Sequence, residues 1–107
     1  RFFEDAEAPL PEIPGEPGSM HPALATINQL APNGAGLTAA QTARICAHDR
    51  ELVLALIAIC EREAIGWRKT AADSQDPEQV RAGTTEADNW DGIADLLRAA
   101  LREIVLG

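Results

Sequence analysis

From Thr38 to Thr70 the chain repeats apolar positions every three or four residues, with no proline and with no glycine before Gly66. Ala39, Ala43, Cys46, Arg50, Val53, Ile57, Cys60, Ala64 and Trp67 follow an alternation of four and three over roughly four heptads, which is the spacing of a helical seam. Ile45, Leu52, Leu56 and Ile59 form a second stripe beside it. The section LVLALIAIC at 52–60 is therefore apolar almost all round, as expected of a helix surrounded by others. Thr38 and Gln41 stand at capping-box spacing, and Arg68 and Lys69 fall in the last turn, where cations offset the helix dipole. The pattern predicts one long helix over 38–70.

Two weaker patterns flank it. In MHPALATINQLAPNG, Pro22 suits a first helical position, and Leu24, Ile27 and Leu30 recur at helical spacing before Pro32-Asn33-Gly34 breaks the chain. This predicts a short helix at about 22–31. Residues 71–85, with Pro77, Gly83 and little apolar content, read as a loop. Thr84, Thr85 or Asp88 then caps a last helix with Trp90, Ile93, Ala94, Leu97, Ala100, Leu101, Ile104 and Val105 along one face. The fold class expected is all-α, a small bundle of a short, a long central and a C-terminal helix. Two such partners cannot cover the apolar section 52–60, so the bundle is expected to be completed by dimerisation.

The first nineteen residues obey neither period. RFFEDAEAPLPEIPGEPGS holds Pro9, Pro11, Pro14 and Pro17, and proline removes donors and biases its predecessor toward extended backbone. An extended acidic peptide or linker is expected over 1–19, with Phe2, Phe3, Leu10 and Ile13 as its apolar handles, followed by a helical domain over 20–107. Gly18-Ser19 directly before Met20, the single methionine, is what a fusion joint leaves behind; a native linker is the other reading.

Composition narrows the function. With 46% hydrophobic residues but only two Phe, two Trp and no Tyr, a core must be built from Ala, Leu, Ile and Val. A net charge of −8 disfavours nucleic acid, whose affinity comes from Lys and Arg on phosphates. The charge is uneven: residues 71–92 carry six acids against Arg81, whereas 38–70 is slightly basic. Two cysteines are too few for a secreted disulfide scaffold, and the longest apolar run, nine residues, is far short of the ~20 of a membrane span. A cytoplasmic protein that does not use a membrane is expected.

Candidate chemistry is sparse. Cys46 and Cys60 lie two heptads apart, about 21 Å along a continuous helix, and cannot bridge within it; both read as small buried hydrophobes. His48 and Cys46 are offset by two residues, which points them apart on a helix, so no metal is expected. Arg50 occupies a seam position, where a guanidinium either pairs across an interface or reaches the rim. Serine occurs only at Ser19 and Ser74, both in predicted loops, which leaves no basis for serine catalysis.

The segment DGIADLL at 91–97 resembles the metal-binding helix of MazG-type nucleotide pyrophosphohydrolases, with Asp91 and Asp95 in the pattern and EREA at 61–64 as the partner acids. That resemblance implies an all-helical Mg²⁺-dependent enzyme. Gly92, however, stands where the family needs a ligand glutamate, and a hard cation requires several convergent oxygens.

The reading favoured is a non-enzymatic protein-protein interaction module, an adaptor, docking or assembly domain, that uses no cofactor. Its expected ligand is an acidic Pro-rich segment such as residues 1–17, which hold five acids against Arg1 and whose prolines lower the cost of ordering an extended form. Phe2 and Phe3 are the expected anchors, with Leu10 and Ile13 secondary. Arg44, Arg50, Arg62, Arg68, Lys69 and Trp67 are the residues expected to receive it on the helical domain. A protein or peptide partner and a homodimer are both expected.

Overall fold

A computed structural model describes residues 20–107, and Phe2, Phe3, Leu10 and Ile13 lie outside that range. The described chain forms four helices: α1 (Pro22–Leu30), α2 (Ala39–Ile45), α3 (Arg50–Asp73) and α4 (Pro77–Leu106). There is no strand among the described residues, as the all-α expectation requires.

Pro22 occupies the first position of α1, where its missing N–H is no loss, and the Ala23 N–H donates to His21 Nδ1 at 3.0 Å. After Ala31 the Pro32-Asn33-Gly34 turn closes through the Gly34 N–H on the Ala31 carbonyl at 2.9 Å, with Gly34 at φ +85°. The capping box of α2 forms as its spacing predicts: the Gln41 N–H donates to Thr38 Oγ1 at 3.0 Å, and the Thr38 N–H donates to Gln41 Oε1 at 2.9 Å.

The single helix predicted over 38–70 is broken. Ala47 (φ 56°) and His48 (φ 55°) are both left-handed, the Ala47 N–H donates to the Arg44 carbonyl, and the His48 N–H reaches back to the Ala43 carbonyl. This is a Schellman closure of α2 with alanine where glycine is usual. Asp49 then starts a new helix, its Oδ1 accepting from the Leu52 N–H at 3.1 Å. The turn leaves Arg50 exposed at the first residue of α3, neither buried nor at a seam.

The loop predicted over 71–85 contracts to residues 74–76. Ser74 Oγ accepts from the Asp76 N–H, Asp76 Oδ1 accepts from the Glu78 N–H, and Pro77 takes the first position of α4. The cap is thus Asp76, not Thr84, Thr85 or Asp88. Gly83 lies within α4 because the helices nearly touch there: a Cβ on it would stand 3.0 Å from Ala71 Cβ and 3.1 Å from the Trp67 carbonyl oxygen.

Helices α3 and α4 form an antiparallel hairpin that makes most of the tertiary contacts, and α2 packs on α4. Leu24, Ile27, Val53, Leu56, Ile93 and Leu97 are fully buried at the centre. Ala, Leu, Ile and Val thus supply most of the core, as the composition demands, with Trp90 the buried aromatic. Much of the apolar excess at 52–60 is taken up within the chain: Val53, Leu56, Ile57 and Cys60 are buried, while Leu54 stays half exposed. No described helix is long and apolar enough to cross a membrane.

Candidate functional site

The outer side of α3 carries an open groove of about 230 Å³, lined by Arg62, Glu63, Gly66, Trp67 and Thr70. These positions recur at three and four residues and so share one flank of the helix. Trp67 is half-buried, with part of its ring against the core. Gly66 is among its lining residues, and a Cβ there would meet none of the described residues within 4 Å. An exposed glycine inside a helix costs about 1 kcal/mol relative to alanine, and no neighbour among the described residues requires this one.

The residues expected to receive a peptide separate into three groups. Arg62 and Trp67 line the groove, and Lys69, two helical turns beyond Arg62, is exposed near it. Among the described residues neither Arg62 nor Lys69 is in an ion pair. Arg44, in the last turn of α2, and Arg50 are exposed at the α2–α3 joint, Arg50 about 18 Å from Arg62 along the helix. Arg68 turns toward α4, where its guanidinium holds Asp88 at 3.1 Å and Asp91 at 2.5 Å. Ile65, 68% exposed beside the groove, escaped the sequence reading because it lies off both apolar stripes.

The acids of the pyrophosphohydrolase-like pattern are engaged otherwise. Asp91 is held by Arg68; Arg98 binds Asp95 at 2.9 Å and Glu61 across the hairpin. The hydrogen bond to Asp91 is the largest influence raising the Arg68 pKa. Gly92 is where the Pro32-Asn33-Gly34 turn presses on α4: a Cβ on Gly92 would stand 2.0 Å from the Asn33 carbonyl oxygen. A glutamate there would collide with the turn, so the departure from the enzyme pattern has a packing cause. Among the described residues no group of three or more His, Cys, Asp or Glu is arranged to hold a metal ion.

Both cysteines are free and buried. Desolvation first, then Glu63, pushes the Cys60 thiol up to about 12, and burial followed by Asp49 raises that of Cys46. Neither thiol is poised as a nucleophile, whose chemistry needs the thiolate.

The described residues thus form a small all-α domain whose Asp91, Asp95 and Glu61 are paired with arginines and whose α3 carries an open groove edged by Trp67. Its class is that of a chaperone-like protein-interaction domain. Residues 18–104 match the model of the TY-Chap C-terminal domain, and the chain belongs to that family. No curated protein and no solved structure matches it.

Proposed function

We propose that the helical domain, residues 20–107, is a non-enzymatic docking domain that receives an extended acidic, proline-bearing segment along the outer side of α3. The observation that carries this reading is the groove itself, in which an otherwise unneeded glycine opens a notch beside Trp67 and Arg62. A segment like residues 1–17 supplies complementary charge, with five acids against one arginine. Phe2 and Phe3 anchor against Trp67, with Leu10 and Ile13 as secondary contacts. In a polyproline-like form, 17 residues span about 53 Å, enough to run from the groove to Arg50 and Arg44 at the joint. Arg62 and Lys69 attract the acids first, since Arg68 already holds Asp88 and Asp91. The function is that of an adaptor or assembly domain.

Calorimetric titration of a synthetic peptide 1–18 into residues 20–107 tests it, because that range holds the buried core of the described residues. Saturable binding at a fixed ratio, weakened by salt and lost when both phenylalanines become alanine, is expected. Absence of heat in every buffer would remove the acidic segment as a ligand. Magnesium supplies the control for the enzymatic alternative: it is expected to leave the melting temperature unchanged.

A further inference from the structure

The joint between α2 and α3 is the most strained backbone described. Ala47 and His48 are consecutive left-handed residues, and neither is glycine, asparagine or aspartate. The left-handed region is unfavourable for residues with a Cβ, which visit it as single residues rather than in pairs. Alanine is also the strongest helix former. Residues 39–73 contain no proline, and their three-four alternation keeps its phase through the joint, with Arg50 the one charged position in it. The stripe holding Ala43 and Cys46 in α2 continues as Val53, Ile57 and Cys60 in α3, and all five are buried. The same sequence therefore suits two arrangements, the bent one and a straight one.

We infer that α2 and α3 also join into one continuous helix, and that a second copy of this chain then supplies what the straightening removes. In the bent form, residues 20–46 lie on the α3–α4 hairpin through α2 on α4, the Gly34 turn on Gly92, and Leu24 and Ile27 in the core. Straightening at 47–48 carries this unit away from its own hairpin. Two straightened chains restore every one of these contacts by exchange, each unit docking on the other's α4, and both chains are relieved of their left-handed residues. The exchange is independent of the peptide groove, which lies on the other end of α3. It yields a symmetric pair with two such grooves.

Light scattering over a concentration range, together with spin labels at Ala40→Cys and Ala58→Cys in the full chain, tests the inference. The native thiols are buried and slow to label. A continuous helix sets the two labels about 27 Å apart, from 18 residues at 1.5 Å each. A distance population near that value should grow in step with the dimer fraction. The double variant Ala47→Gly/His48→Gly relieves the strain without straightening, so it should fold at least as well and weaken dimerisation by about tenfold or more. A chain that stays monomeric up to about 1 mM, a dimer without the ~27 Å population, or one whose dissociation constant is unmoved by the two glycines overturns it.

Discussion

Gly92 and Gly66 are both glycines in helix interiors, yet their surroundings are opposite. At Gly92 the turn after α1 comes so close that any side chain would strike the Asn33 carbonyl; at Gly66 none of the described residues stands within 4 Å of where a Cβ would be. The first glycine is explained wholly inside the fold, since it lets the backbone of the turn settle on α4. The second is not, and it lies in the groove with Arg62 and Trp67. Equal residues with equal helix penalties thus divide into one kept for packing and one that points to a surface.

Substitution can break that contrast. Gly92→Ala should destabilise by about 2–3 kcal/mol, the scale of overpacking a tight contact, read from the urea midpoint. An unchanged midpoint would mean that the turn does not press on α4. At the groove, Arg62→Glu with Lys69→Glu should leave stability within about 0.5 kcal/mol and weaken binding of peptide 1–18 by about tenfold. Equal affinity would move the acidic segment elsewhere. Gly66→Ala should stabilise the fold by about 1 kcal/mol while reducing peptide affinity, because the new methyl takes up space in the groove. A gain in stability with no loss of binding would separate the notch from the ligand.

The smallest effect concerns Cys60. Its thiol is pushed up to about 12 in the fold, whereas an unfolded thiol titrates near ~8.5. The folded state retains the proton to higher pH, so this contribution is complete below about pH 8.5 and is lost as the pH rises toward 12. The chain has no tyrosine to obscure that window. Cys60→Ala should flatten the decline of the urea midpoint above pH 9; an unaltered slope would assign the decline to Cys46, whose thiol burial also raises.

The candidate site was legible only in pieces. Arg62, Lys69 and Trp67 stand out as cations and an aromatic on a slightly basic helix, and the structure leaves them on its outer side. Their grouping with Gly66 was not legible, because an exposed glycine near the end of an apolar pattern looks like the approach of a terminus. Arg68 resembles its neighbour Lys69 in sequence, yet Asp88 and Asp91 on the facing helix claim it. One helix start was available and overlooked: Asp76-Pro77-Glu78 is a cap, a proline at the first position and an acid in the first turn.

Local chemistry alone determined the all-α class, the Thr38–Gln41 capping box, the proline start of α1 and the face of α4 from Trp90 to Ala100. Each depends on residues within one or two turns of one another, where spacing and hydrogen-bonding capacity suffice. Only tertiary structure decided that the helix over 38–70 bends at Ala47, since α2 buries its apolar face on α4 and a left-handed alanine carries no sequence mark. The same holds for Gly83 and Gly92. A helical glycine differs from a loop glycine only by what approaches it, and Trp67, Ala71 and the Asn33 turn come from elsewhere in the chain.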